Sequence, residues 1–280
     1  MASTVHIIGA GISGLAAGVR LAAAGRTVRV HEATQQVGGR CRSYYDGATD
    51  LTIDNGNHLL LSGNHHALAY ARQIGNAAGL KGPDEARFDF VDFATSERWV
   101  LRINDGRVPF WVFDAKRRVP GTSAADYVGL APLVWASTGK RVGDAIKCDG
   151  TLYKRLVEPL LLAALNIDPP GGSAGLAGAI IRETLLVGGQ ACRPLIAAEG
   201  LSSVLIDPAV HFIRDHGGSV DIGHEARGFS FDGSRVSALS LGDQTIDLGS
   251  QDAVVMAVPP RPAVALLPGL TAPKKFFAIV

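Results

Sequence analysis

The stretch "VHIIGAGISGLAAGVRLAAAGRTVRVHE", Val5 to Glu32, constrains the fold more than any other part of the chain. A short β-branched run, Val5 to Ile8, leads directly into Gly9-Ala10-Gly11-Ile12-Ser13-Gly14. An alanine- and leucine-rich helix follows to Ala24, Gly25 stops it, and Thr27 to Val30 forms a second strand closing on Glu32. This is strand, turn, helix, strand, the opening of a parallel sheet. Gly9 permits the tight turn, Gly11 lets the backbone approach a pyrophosphate, and Gly14 lets the helix lie close on the sheet. The amides of the first helical turn, around Ser13, then face the anion. Glu32, at the end of the second strand, can accept hydrogen bonds from both hydroxyls of an adenosine ribose. It would repel a phosphate there, which disfavours NADP.

A glycine-rich turn alone does not say which dinucleotide is bound. The next feature does: Gly38-Gly39-Arg40 follows Glu32 where an NAD domain would run into its crossover helix. A glycine pair lets the chain double back over the pyrophosphate, and Arg40 can add a fork of donors. With GxGxxG, the strand-end Glu and GGR together, the sequence resembles the amine oxidase and phytoene desaturase superfamily, which implies FAD.

Composition excludes other classes. A chain of 280 residues that is 47% hydrophobic with a formal charge of +1 can bury one large core or two modest ones, and its near-neutral balance argues against a nucleic-acid partner. Cys41, Cys148 and Cys192 are far apart and show no metal-ligand spacing, so no metal site is expected and inert thiols in a reducing compartment are. No apolar run reaches the roughly 18 residues of a membrane span. The first strand begins almost at once, leaving no room for a secretory signal, so the expected location is cytoplasmic.

Further on, Leu51 to Gly56 reads as a strand entering Asp54-Asn55-Gly56-Asn57-His58. The superfamily resemblance maps Gly56, Asn57 and His58 to the wall of the flavin ring, with His58 as the candidate proton donor; the alternative is that His58 caps its own turn. His65 and His66 are expected in solvent at a helix start. Phe88 to Phe93 and Arg98 to Ile103 predict a hairpin, and Val108 to Phe113 is expected to continue its sheet. Helices are expected over about 123–137, 151–165 and 174–186, in an apolar-lined second domain. The run Pro109-Phe110-Trp111-Val112-Phe113 before Lys116-Arg117-Arg118 reads either as a buried strand with a solvated turn or as a peripheral contact with the inner face of a membrane.

The nucleotide domain then returns. A helix from Glu199-Gly200-Leu201 to about Asp215, a strand Ser219 to Ile222, a small antiparallel meander over 226–248 and a buried strand Asp252 to Ala257 before Pro259-Pro260 complete it. By the resemblance, Ala226 and Ala257 lie around the adenosine. The expected architecture is α/β: a discontinuous Rossmann-like FAD-binding domain, 1–75 and 199–260, whose parallel sheet carries a small meander. An inserted α+β substrate domain occupies 76–198 and 261–280. Phe276 to Val280 reads as a strand on which the chain stops, so a C-terminally truncated form of a longer protein is expected.

"EPLLLAALNIDPPGGSAGLAGAIIRETLLVGG" and "DNGNHLLLSGNHHALAYARQIG" narrow the resemblance to the hydroxysqualene dehydroxylases of bacterial hopanoid synthesis. That implies an apolar isoprenoid substrate, made by upstream squalene-pathway synthases, and reduction of hydroxysqualene to squalene. Carotenoid-type desaturation and amine oxidation stay open as alternatives, as does a flavin-binding fragment without turnover. Amine oxidation would favour an aromatic cage, and aromatics are only 6% of the chain.

Overall fold

The β-branched run ahead of the glycine turn becomes strand β1 (Thr4–Ile8), followed by helix α1 (Ile12–Ala23) and strand β2 (Thr27–Glu32). They belong to a computed structural model that describes residues 3–56 and 58–267. β1 pairs in parallel with β2 on one side and with the strand Ala253–Met256 on the other; β2 pairs in parallel with Ser219–Ile222. In this four-stranded sheet the strands alternate their side chains between two faces. One face presents Val5, Ile7, Val28 and Val30, all buried, to α1 and the helix Asp207–Asp215. Gly18 of α1 makes that packing close, since a Cβ there would lie 2.8 Å from Ile213 Cδ1. Each such buried aliphatic side chain stabilises by about 1.5–3 kcal/mol. α1 ends where Gly25, at φ +76°, donates to the Ala22 carbonyl and the Arg26 amide to that of Leu21.

The other face of the sheet carries Ile8, Val254 and Met256. It is covered by the antiparallel meander Ala226–Asp232, Arg235–Leu241 and Gln244–Asp247, whose Leu239 and Leu241 are buried against Ile8. His6 and His31 lie on this face as well and are 3% and 2% exposed. Strand β3 (Ser43–Asp46), which the sequence did not announce, pairs antiparallel with β4 (Leu51–Asp54). The expected strand over 51–56 therefore ends at Asp54, where the Asn55 amide turns back to the Arg42 carbonyl.

A second compact unit comprises residues 59–66 and 81–196. Its hairpin, Ala86–Asp92 with Glu97–Ile103, lies where expected and pairs Phe90 with Trp99, whose rings stack at 5.3 Å. Its helices are Ala124–Val128, Ala131–Val134, Val142–Ala145, a run from Gly150 to Leu165 with a π-turn at Tyr153–Val157, and Ala174–Glu183. The single helix expected over 123–137 is thus two, separated at Gly129-Leu130. Val108 to Phe113 is not a strand. Pro109 cannot donate to a ladder, Asn104 takes the Trp111 amide and donates to the Val108 carbonyl, and Phe110–Phe113 closes into one 3-10 turn.

The units divide differently from expectation at their edges. Residues 76–80 go with the nucleotide-type unit, because Asn76 Nδ2 donates to the carbonyls of Ser203 and Val204. Residues 59–66 go with the second unit, where the Ser62 and Gly63 amides donate to Arg193 and Ala191. The helix Pro260–Leu266, expected in the substrate domain, packs instead on the strand Ala226–Asp232 of the first. Asn57 and Phe276 to Val280 lie outside the described residues.

Candidate functional site: a dinucleotide cradle

Three glycines at the end of β1 play distinct parts. Gly9 has φ +102°, and a Cβ on it would meet the Ala257 carbonyl oxygen at 2.8 Å; a Cβ on Gly14 would sit 1.9 Å from the Gly9 oxygen. Protein packing alone therefore requires both. Gly11 is different: a Cβ there would meet nothing within 4 Å, and its own φ is an ordinary −71°. The space beside Gly11 is what a bound pyrophosphate would fill, which is the fit expected of a dinucleotide turn. Gly11 is also the N-cap of α1 and offers no side-chain cap, and no acidic residue stands in the first turn. The amides around Ser13 are left for an anion.

The second glycine pair closes over the first. The Gly38 amide donates to Ala10 O at 2.8 Å, and Gly11 and Gly38 form a parallel bridge. Both Gly38 and Gly39 have positive φ, +97° and +56°, and a Cβ on Gly39 would come 3.3 Å from the Gly11 Cα. Arg40 is exposed on the short 3-10 turn Gly39–Cys41. The structure thus brings Gly9, Gly11, Ser13, Gly14, Gly38, Gly39 and Arg40 to one place.

Glu32 is held at the rim of this cradle. Its Oε2 accepts from the Ala10 amide at 2.8 Å, and its Oε1 from the Thr34 amide and hydroxyl at 3.0 and 2.9 Å. The Thr34 hydroxyl also reaches the Gln36 carbonyl at 2.8 Å, and its one proton serves one acceptor at a time. A carboxylate has about four acceptor positions, so Glu32 keeps capacity for ribose hydroxyls while anchored. The His224 amide donates to the Glu32 carbonyl; Ala226, two residues on, opens the meander, pairs with Leu241 and packs against the Ile8, Leu239 and Leu241 cluster. Ala257 is drawn elsewhere than the adenosine end: its amide bonds Ile8 O at 2.9 Å and it packs on Gly9 and Gly14, at the phosphate turn.

His58 Nδ1 lies 2.7 Å from the Gly56 carbonyl, so Nδ1 carries the proton and Nε2 of the exposed ring is left to solvent. His65 and His66 are exposed at the start of the helix His65–Gln73. Cys192 is buried and its thiol pushed up to about 12 by that burial; Cys41 is raised by the same cause.

Sequence reasoning missed the clamp beneath the site. Asp54 Oδ1 accepts from Ser43 Oγ at 2.6 Å and from the Leu201 amide at 2.8 Å. The Ser43 amide donates to Ser202 Oγ while the Ser202 amide donates to Ser43 Oγ, at 2.7 and 2.9 Å. Gly200, at φ +90°, leaves room for this, since a Cβ would lie 2.9 Å from Ser43 Oγ. Also missed were His6 and His31, whose Nδ1 and Nε2 meet at 3.0 Å beneath the meander, with the His224 ring stacked on His31. Burial, then His6, pushes His31 down to about 4.

The sequence profile described as flavin containing amine oxidoreductase matches residues 12–279, nearly the whole chain. The chain belongs to the flavin-containing amine oxidoreductase family. A flavin held in a dinucleotide cradle is FAD, the dinucleotide form of a flavin, and FAD is the cofactor of this family member. The chain is 62% identical to the hydroxysqualene dehydroxylase of Rhodopseudomonas palustris and 58% identical to that of Sinorhizobium fredii, over 100% of its own length and 67% of theirs. It thus spans about two-thirds of the curated relatives it matches. Among solved structures, an oxidoreductase from Methanosarcina mazei aligns with TM-score 0.70 at 18% identity, over 98% of this chain and 64% of that one. Cyclohexylamine oxidase from Brevibacterium oxydans aligns with TM-score 0.64 at 20% identity, over 97% and 61%. These two show the fold that the chain shares with them.

In the second unit the apolar helix Glu158–Leu165 buries only Leu161; Leu162 is 51% exposed, and Ala163 and Ala164 are exposed too. Plain core packing therefore does not account for "EPLLLAALN". A cleft of about 830 Å³ in this unit carries Asp92, Glu97, Lys154 and Arg155 beside Phe90 and Trp99. Its charges, with Arg155 bonded to Glu97 at 2.5 Å, suit it poorly to a hydrocarbon.

Proposed function

We propose that the whole protein reduces hydroxysqualene to squalene. The observation that carries this reading is the 62% identity to a hydroxysqualene dehydroxylase along the entire chain. The exposed apolar face of the helix Glu158–Leu165 supports it, as a surface of the second unit suited to a polyisoprenoid.

When bound, FAD in its reduced form supplies a hydride to carbon. In the balanced reaction a carbon–oxygen bond breaks, a carbon–hydrogen bond forms, and the hydroxyl departs as water after gaining one proton. This chain's own residues do the rest. The two glycine turns and the first turn of α1 bind the pyrophosphate, Arg40 adds positive charge to it, and Glu32 orients the ribose. His58, held through Nδ1–H by the Gly56 carbonyl, delivers the proton from Nε2 in its doubly protonated form. Among the described residues no helix is long and apolar enough to cross a membrane. We place the enzyme in the cytoplasm, receiving its substrate from an upstream squalene-pathway synthase.

The test is direct: the full-length protein, loaded with FAD and chemically reduced, is incubated with hydroxysqualene and extracted for squalene. Formation of squalene with flavin reoxidation is expected. Reoxidised flavin without squalene, or unchanged substrate under reduced flavin, overturns the assignment.

A further inference from the structure

The aromatic segment that sequence reading left between two alternatives is neither a strand nor fully buried. In the 3-10 turn Phe110–Phe113, Trp111 and Val112 point into the core of the second unit and are 3% and 7% exposed, while Phe110 and Phe113 are 64% and 68% exposed. Side chains three apart eclipse in a 3-10 turn, so the two phenylalanines stand on one side. Val108, 54% exposed, precedes them.

This turn is held firmly. Asn104 donates to the Asp105 and Val108 carbonyls and accepts the Trp111 amide, Gln190 takes the Gly106 amide at 2.7 Å, and Trp111 packs edge-on against Tyr127 at 5.0 Å. Exposing two phenylalanines on a built support costs solvation that an ordinary surface turn would avoid.

Arg107 and Lys116 are exposed beside the aromatic pair and Arg117 is half-buried; none of the three makes a salt bridge among the described residues. The neighbouring acids are engaged locally: Asp105 pairs with Arg193 at 3.4 Å, and Asp114 takes the Lys116 amide at 2.9 Å. Arg118 is also occupied, donating to the Val112 carbonyl at 3.0 Å.

We propose that Val108, Phe110 and Phe113, flanked by Arg107, Lys116 and Arg117, form a docking surface for an anionic lipid bilayer. Aromatic rings inserted at the acyl boundary with cations at headgroup level are the arrangement such a surface requires. One turn with two exposed rings is far smaller than the roughly 800 Å² per partner of a stable protein interface, which favours lipid over protein. The surface is independent of the substrate assignment.

Flotation of the full-length, FAD-loaded protein with vesicles tests this, using phosphatidylcholine alone and phosphatidylcholine with about one-third phosphatidylglycerol. The parent should float with the anionic vesicles. Phe110→Ser/Phe113→Ser should bind them at least about 10-fold more weakly with an unchanged melting temperature. Lys116→Gln/Arg117→Gln should lose about 5-fold per charge on anionic vesicles only. If the double Ser variant does not fold, amide exchange of the parent decides: vesicles should slow exchange across residues 108–118. A parent that does not float, aromatic loss without effect, protection that spares 108–118, or a change of oligomeric state on aromatic loss would each overturn the proposal, the last by making this face a protein interface.

Discussion

The Ala10 amide donates to the Glu32 carboxylate across 2.8 Å, tying the glycine turn to the residue we propose reads the ribose. Reversing that charge in Glu32→Lys removes an anchor of the turn together with the ribose contact, and leaves an unpaired cation beside the nucleotide. FAD affinity should fall by about 2–4 kcal/mol, measured by flavin fluorescence quenching on titration into apoprotein. An unchanged affinity would take Glu32 out of the site.

Gly11 and Gly14 should respond to alanine in opposite ways. Gly14→Ala drives a methyl to 1.9 Å from the Gly9 oxygen, so the apoprotein should lose about 1–3 kcal/mol or more. Gly11→Ala places its methyl in open space and should leave the apoprotein melting temperature almost unchanged while weakening FAD binding at least about tenfold, since the methyl would fill the space we propose for the pyrophosphate. Equal behaviour of the two variants in both assays contradicts the division of roles.

His58→Ala should keep FAD at full stoichiometry and slow turnover by about 100-fold, the range for loss of a general acid. A rate within a few-fold of the parent would reduce His58 to a cap on the Gly56 carbonyl.

The buried histidine pair makes stability depend on pH. His31 titrates near 4 in the folded protein because burial and then the neighbouring His6 disfavour its charge, with His224 and Arg29 adding to this and Asp221 opposing it. His6 is lowered by burial and Arg29 against the pull of Asp252. Between about pH 4 and 6.5 the unfolded chain binds more protons, so stability should rise with pH through that window and level off above it. For His31 the effect is on the order of 1–3 kcal/mol. Thermal melts from pH 4 to 8 check it; in His31→Phe the slope across this window should shrink.

What could be read in advance was what is local. The β1–α1–β2 unit, the hairpin around Thr95-Ser96-Glu97 and the meander each carry their own punctuation of glycine, proline and alternating residues. β3 was missed because Ser43-Tyr44-Tyr45-Asp46 has no apolar alternation and becomes a strand through pairing with β4. The run Val108 to Phe113 misled because its apolar character suits a strand, whereas side-chain bonds from Asn104 decide otherwise. Within the cradle, the GxGxxG, GGR and strand-end glutamate were visible by type and spacing. The clamp joining Asp54 and Ser43 to Leu201 and Ser202 was not, since its partners are 147 and 159 residues apart. Ala257 was placed by analogy, and its bond to Ile8 moves it to the phosphate turn.

The sheet order described above also sets a timetable for synthesis. β1 has one neighbour that leaves the ribosome almost with it, β2, and another, Ala253–Met256, that arrives only after the whole Lys81–Ile196 unit has been made. At roughly 5–20 residues per second that interval is on the order of ten seconds. Throughout it Ile8 lacks Leu239 and Leu241, and the nascent amino-terminal segment waits with an unpaired strand edge that a chaperone, or a neighbouring chain on the same message, can reach first.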